Sequence, residues 1–406
     1  MLLKKLDPVS QQEYVLSKQT ADYLSTSPGA WFSLTLDSAF MGKGQAVWAI
    51  LLCIVQCLLF PIVIFLMSCL AVFGRALPRY AKAIDALKSP VSDWQGYVNR
   101  LQYSKIAVAR EHLWLGAHAT EDYPILLHRS ILGEHAHLLG DSGSGKTALG
   151  MAPLLAQLIS LQDSAVVVID LKGDMPLFQT AQNGAGSRFK FFTNEVGKAT
   201  HAFNPFGPFS SDHISLNQVC EVFLSALGLD HGEGYGRSYY SRVARNVLSR
   251  TIQEYPDIAS FEELRDKVGK LTNTISDEKD AFELIAVVES LAAIPQLNYT
   301  ANDLVADQAI NMATVVKNRE VVYFWLPAAI ETASVREIAK LALYTLFTSA
   351  YQHQRQHHET PKIWVFVDEF QHVASLNFKL LLQQARSMGM GMILANQTNS
   401  DLWTKK

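Results

Sequence analysis

The chain has 406 residues, of which 49% are hydrophobic and 18% charged, and its formal net charge is −3. That length allows one large domain with appendages or two domains with a sizeable buried core, and the near-neutral balance excludes a globally basic nucleic-acid binder, so any basic surface has to be local. Three of the four cysteines, Cys53, Cys57 and Cys69, lie in one apolar run and Cys220 stands alone, which argues against a disulfide framework or a C-x-x-C metal pair and predicts reduced thiols.

In chain order, residues 1–46 carry no long apolar run. The stretch "GAWFSLTLDSAF", Gly29 to Phe40, is short and holds Asp37, so it reads as an interfacial or packed segment. Val47 to Phe73, "VWAILLCIVQCLLFPIVIFLMSCLAVF", contains no charged residue. As a helix it would be about 40 Å long, enough for one tilted crossing of a hydrocarbon core of about 30 Å and too short for two. It predicts a transmembrane helix, kinked at Pro61. Arg75, Arg79, Lys82 and Lys88 follow it while only Lys43 precedes it closely, so the positive-inside bias places the larger C-terminal part in the cytoplasm. Residues 74–134 form a juxtamembrane lead-in, in which "HLWLGAHATEDYPILLHRSIL" predicts short strands joined by turns.

From His135 onward, short apolar runs alternate with helical stretches, the pattern of an α/β domain with a parallel central sheet. The runs are "HAHLL", "AVVVID" ending at Asp170, "EVVYFWL" ending at Leu326, "IWVFVDE" ending at Glu369 and "GMILANQ" ending at Gln397. Residues 207–318 interrupt them with an all-helical insertion. Ser215 with Gln218 and Ser260 with Glu263 fit capping boxes, and Tyr240, Val243, Ala244, Val247 and Leu248 recur at helical spacing. The sheet domain is thereby divided into residues 135–206 and 319–406, and Ser334 with Glu337 predicts a third capping box in the second part. Basic residues are scattered, and no stripe of aromatic and basic residues of the kind that stacks a single strand stands out.

The chemistry concentrates in "GDSGSGKT", Gly140 to Thr147, which fits G-x-x-x-x-G-K-[ST] between an apolar strand and a helix. In that context Gly140, Asp141, Ser142, Gly143, Ser144 and Gly145 turn backbone N–H groups toward phosphate oxygens at a helix N-terminus. Lys146 reaches the β- and γ-phosphates and Thr147 ligates Mg²⁺, so ATP with Mg²⁺ is expected. The partner signal is "IWVFVDEF": a buried strand ending in two acids, Asp368 to hold Mg²⁺ through water and Glu369 to orient and deprotonate the attacking water. Gln397, ending the following run, is placed to sense the γ-phosphate or that water.

These landmarks, in the order "HLLGDSGSGKT", "VVVIDLKGD", "FNPF" (Phe203 to Phe206), "GYGRSYYSRVARNVL" and "WVFVDEFQHVASLNFKLLLQQARSMGMGMILANQTNSDL", resemble those of the type IV coupling proteins from about Leu115 onward. The resemblance implies a RecA-like P-loop NTPase fold with an inserted all-α domain and an N-terminal transmembrane helix. It further implies a homo-hexameric, DNA-translocating ATPase at the bacterial inner membrane. Such an ATPase couples single- or double-stranded DNA, or a relaxase-type protein substrate, to type IV secretion channel components. It places Lys172 of "DLKGD" at the nucleotide site and makes Arg386 an arginine-finger candidate for a neighbour's γ-phosphate, with a surface ion pair as the alternative. Two departures accompany it. Members usually have two membrane spans and this chain shows one; and the chain stops at Lys406, soon after the Gln397 strand, where members continue, so it reads as a shortened product or a fragment. The same machinery would also serve a DNA translocase of the cell-division type, or an ATP-binding recruitment adaptor with little turnover.

Overall fold

Runs that are apolar at every position need cover on both faces, and in the computed structural model they form the interior of a doubly covered sheet. The structure describes residues 107–118, 124–195, 197–198, 200–206, 214–229, 237–272, 281–299, 308–329 and 332–398, with Val98 and Ser104. The Val47–Phe73 run, its basic collar and the Gly29–Phe40 stretch lie outside the described residues. Among the described residues no helix is long and apolar enough to cross a membrane.

The expected short strands of the lead-in are β1 (His112–Ala117) and β2 (Pro124–His128), an antiparallel pair with a bulge between Trp114 and Gly116. The central sheet begins with β3 (Ala136–Leu139) and β4 (Ala165–Asp170). Between them the chain makes one π turn, Lys146–Met151, and continues as α1 (Ala152–Ser160). After α2 (Met175–Ala185) comes β5 (Phe189–Thr193), an addition to the five expected strands. Its "FKFFT" is short and broken by a lysine, which hides it from a search for apolar runs. The structure uses that lysine: Lys190 Nζ pairs with Glu320 at 3.2 Å and donates to the Ala309 carbonyl at 2.9 Å. A short strand, β6 (Ala202–Phe203), leads into the helical stretch.

That stretch holds α3 (Leu216–Ala226), α4 (Arg237–Glu254), α5 (Phe261–Thr272) and α6 (Phe282–Ala292). Ser215 and Gln218 cap α3 reciprocally. At α5 the Glu263 amide donates to Ser260 Oγ at 3.1 Å, while the Glu263 carboxylate accepts from the Ala259 amide at 2.9 Å. "FNPF" is the joint between sheet and helices. Asn204 Oδ1 accepts from the Phe206 amide at 2.8 Å, turning the chain so that the Phe206 ring packs 5.0 Å from both Phe223 and Phe261. Cys220 is buried beside these rings, and burial pushes its thiol up to about 11.

The chain returns through β7 (Ala309–Ile310), which pairs with β6, then α7 (Met312–Asn318), β8 (Val321–Trp325) and α8 (Thr332–His357). The third expected capping box is corrected by the structure. Because α8 already begins at Thr332, Ser334 lies inside it and its Oγ pairs with Ser290 Oγ of α6 at 2.9 Å. Last come β9 (Ile363–Asp368), α9 (Leu376–Ala385) and β10 (Met390–Asn396).

The six strands of the central sheet are all parallel, in the order β3-β10-β9-β4-β8-β5. Alternate residues feed two cores. Val166, Val168, Tyr323 and Phe366 pack with Leu154, Leu158 and Leu177 of α1 and α2. Val167, Ile169, Val365 and Val367 face a larger core that includes Ile338 and Leu341 of α8 and runs on into Phe223 and Leu284 of the helical stretch. Cover on both faces is why these strands read as unbroken apolar runs.

Candidate nucleotide site

In a parallel sheet with helices on both faces, the carboxyl ends of the strands form the crevice where ligands bind. The cradle lies between the end of β3 and the helix that starts at Lys146. Gly143 (φ 78°) and Gly145 (φ 87°) adopt left-handed backbone, which costs a side-chain-bearing residue about 1 kcal/mol or more. At Gly140 an added Cβ would sit 2.5 Å from Ser144 Oγ, so a larger residue there would make that hydroxyl turn away. Asp141, Ser142, Gly143 and Ser144 line its exposed crest. Lys146 Nζ folds back onto the loop, donating to the carbonyls of Gly140 and Asp141.

The strand order does what no linear motif can. β10 lies between β3 and β9, so the cradle must reach across the end of one strand to meet the acidic pair. It does so through Thr147, whose Oγ1 donates to Asp368 Oδ2 at 3.1 Å in a buried bond. The bridged strand is the one that delivers Gln397. Just past its end, Gln397 Nε2 donates to Glu369 Oε2 at 3.4 Å, and Gln371 Nε2 donates to the same oxygen. Glu369 itself has φ 53° and ψ 48°. A left-handed glutamate stores roughly 1 kcal/mol or more of backbone strain and turns the chain sharply out of β9. Lys146, Thr147, Asp368, Glu369 and Gln397 are thus gathered at one end of the sheet.

A residue expected only as the end of a strand completes this end. Asp170 closes β4 in direct register with Asp368 on β9, and it is fully buried. Its carboxylate accepts from the amides of Lys172 (3.0 Å), Gly173 (2.8 Å) and Asp174 (2.6 Å) and from the Tyr323 hydroxyl (2.7 Å). It therefore fixes the loop that carries Lys172 next to the acidic strand, while the Lys172 side chain stays exposed. Its signal in the sequence was an acid ending an apolar run, the same signal that marked Asp368. The electrostatic consequence falls on Asp368. Burial, and then the neighbouring Asp170 carboxylate, push its carboxyl up to about 6, against the opposing pull of the Thr147 hydroxyl and the Glu369 amide.

No protein-family model matches the chain, and no curated protein matches it. Solved structures do. The bacterial conjugative coupling protein TrwBdeltaN70, in an unbound monoclinic form, superposes with a TM-score of 0.51 at 15% identity, covering 75% of this chain and 69% of that one. The plasmid coupling protein TrwB in complex with the GTP analogue GDPNP gives 0.51 at 16% identity, and in complex with ADP and Mg²⁺ 0.50 at 17%, each covering 75% of this chain and 71% of the other. The fold is that of TrwB. In this TrwB-like fold the oxygens of Thr147 and Asp368 suit a hard divalent cation, because Mg²⁺ takes few protein ligands and completes its shell with phosphate and water. Among the described residues, no group of three or more His, Cys, Asp or Glu side chains is arranged to hold a metal ion.

Arg386 is not brought to this end. It opens a short 3-10 turn immediately before β10, at the opposite end of the sheet, and pairs with Glu134 at 2.8 Å with both side chains largely exposed. The seven residues of β10 separate it from Gln397, a distance of about 23 Å along the strand.

Proposed function

We propose that this chain is a membrane-anchored P-loop ATPase of type IV secretion or conjugation. In this reading it uses ATP hydrolysis to deliver DNA or a relaxase-type protein substrate to the secretion channel. The observation that carries it is the buried Thr147–Asp368 bond, which ties a phosphate cradle to a strand ending in two acids. Lys146 would exchange its loop carbonyls for the β- and γ-phosphate oxygens. Thr147 and Asp368 would hold Mg²⁺, which when bound neutralises charge on those phosphates. Glu369 would take the proton of the attacking water, with Gln397 and Gln371 holding one carboxylate oxygen so that the other faces the reaction. Asp170 and the loop it fixes would present Lys172 to the nucleotide.

The remaining parts of the proposal rest on the sequence motifs, the apolar run with its basic collar, and the family they resemble. These are the insertion over residues 207–318, expected as all-helical but holding the short strand β7 near its end, the anchor at Val47–Phe73 in the bacterial inner membrane with the ATPase part cytoplasmic, and a homo-hexamer in which Arg386 acts on a neighbour's γ-phosphate. A finger at the far end of its own sheet suits action on another subunit, because a cyclic ring repeats one heterologous interface. The test is a pair of variants. Lys146→Ala should lose nucleotide binding with little change in thermal stability. Glu369→Gln should keep binding while hydrolysis falls by two or more decades, the usual worth of a general base. Unchanged binding in the first, or equal loss of binding in the second, would sink the assignment.

A further inference from the structure

Glu369 has left-handed backbone, and a glutamate held there persists only where its surroundings over-determine it. Two side chains of the turn that follows, Phe370 to His372, do so. The Phe370 ring is buried, 5.0 Å from that of Phe378 on α9, and makes an apolar anchor. His372, whose amide donates to the Glu369 carbonyl at 3.1 Å, has a polar one: Arg336 Nη2 donates to its Nδ1 at 3.4 Å. A guanidinium has no acceptor, so Nδ1 is the bare nitrogen and the imidazole is neutral, with its proton on Nε2. The surroundings agree, since burial and then the Arg336 charge hold His372 below the ordinary histidine range, against the pull of Glu369. The buried Nε of Arg336 has no hydrogen-bond partner among the described residues.

β8 ends at Trp325 and α8 starts at Thr332, so the first turns of α8 stand at the carboxyl end of the sheet. The same turns are tied to the helical stretch. Ser334 pairs with Ser290 of α6 at 2.9 Å, and Lys340 Nζ would lie 3.6 Å from a Cβ added at Gly228, just past α3. Arg336 thus belongs to a helix fixed from one side and reaches the acidic turn on the other. We propose that Arg336 is a positioning residue for the Glu369 carboxylate, acting through His372. The proposal adds a residue to the ATPase reading and rests on it. Gln371 and Gln397 hold one carboxylate oxygen of Glu369, whereas His372 holds the backbone that aims the whole side chain. Releasing His372 would let the left-handed residue relax, and a displacement of about 1 Å at a reacting group costs on the order of 10² in rate. Nothing in the linear sequence marks Arg336, because it lies on another element, 36 positions from His372.

The test uses the full chain in detergent micelles and three measurements: steady-state ATP hydrolysis, titration with a fluorescent ATP analogue, and amide hydrogen exchange of the 369–373 segment without nucleotide. Arg336→Ala and His372→Ala should each lower kcat by about 10- to 100-fold, while KM and analogue affinity hardly change. The double variant should be no worse than either single one, since the two side chains act as a unit. His372→Asn, whose Oδ1 can stand where Nδ1 does and accept from Arg336, should keep most of the activity. In a Glu369→Gln background, Arg336→Ala should leave the residual hydrolysis where it is. Exchange at the 369–373 amides should quicken in Arg336→Ala, and that of the cradle, 140–147, should not. Additive losses in the double variant, equal loss of binding, a further loss in the Glu369→Gln background, or unchanged exchange at the turn overturns the proposal. A parent that binds no nucleotide brings down the ATPase reading, and the hold of Arg336 on the turn then stands or falls on the exchange alone.

Discussion

Asp368→Asn should make the protein more stable while making it a worse ATPase, and the gain should depend on pH in a way the structure dictates. The Asp368 carboxyl is held at about 6 in the fold, against an ordinary value of 3.8. Its neutral form is therefore favoured by folding, and the stability it lends is present at low pH and lost as pH rises through about 6. Linkage over that interval amounts to about 3 kcal/mol of cost at pH 8 and about 1 kcal/mol at pH 4.5. Asparagine has the same shape and removes the charge. Its Oδ1 can accept the Glu369 amide as Asp368 Oδ1 does at 3.0 Å, and its Nδ2 can donate to Thr147 Oγ1, whose hydroxyl rotates to suit. Both bonds survive and the desolvation penalty disappears. Urea unfolding without nucleotide, followed by tryptophan emission at each pH and compared at unchanged m-value, reads the gain as a shift in midpoint. With Mg²⁺ and ATP added the order should reverse, since only the parent keeps the carboxylate that would hold the cation. A variant no more stable than the parent at pH 8, or a gain independent of pH, would refute the electrostatic account of this end of the sheet.

Arg386→Ala should change stability by no more than about 0.5 kcal/mol, because its exposed pair with Glu134 is worth little. In an assembled preparation it should cut hydrolysis by on the order of 10³ while sparing ATP binding, and mixing with Lys146→Ala should restore some activity at hybrid interfaces. Absence of rescue, in a preparation shown to exchange subunits, would return Arg386 to its surface ion pair. Gly389→Ala should be severely destabilising, by about 3 kcal/mol or more. Gly389 has φ 74° and an added Cβ would fall 1.8 Å from the Pro361 carbonyl oxygen, so relief requires parting β9 from β10. A thermal midpoint within two or three degrees of the parent would contradict that packing, given about 2–4 °C per kcal/mol for large domains.

What the sequence by itself determined is local chemistry. Spacing within eight residues gives "GDSGSGKT" the pattern of a phosphate cradle, because its glycines act through backbone they themselves form. Runs such as "AVVVID" and "IWVFVDE" announce buried parallel strands, since a strand covered on both faces has no polar side to show. Ser215 and Gln218 cap a helix that begins between them. Tertiary structure decided whatever depends on neighbours remote in sequence. Ser334 fits a cap by spacing, yet α8 is already under way at Thr332, so its hydroxyl turns to Ser290 instead. β5 is held by its pairing with β8, and its Lys190 by Glu320 and the Ala309 carbonyl. Asp170 gains its meaning only from lying in register with Asp368. Arg386, close to the acidic pair in the chain, is carried to the far end of the sheet because a helix and a turn must return the chain to the amino end before a parallel strand can begin. And Thr147 meets Asp368 at a separation of 221 positions because strand order, set by which apolar faces pack together, leaves only β10 between β3 and β9.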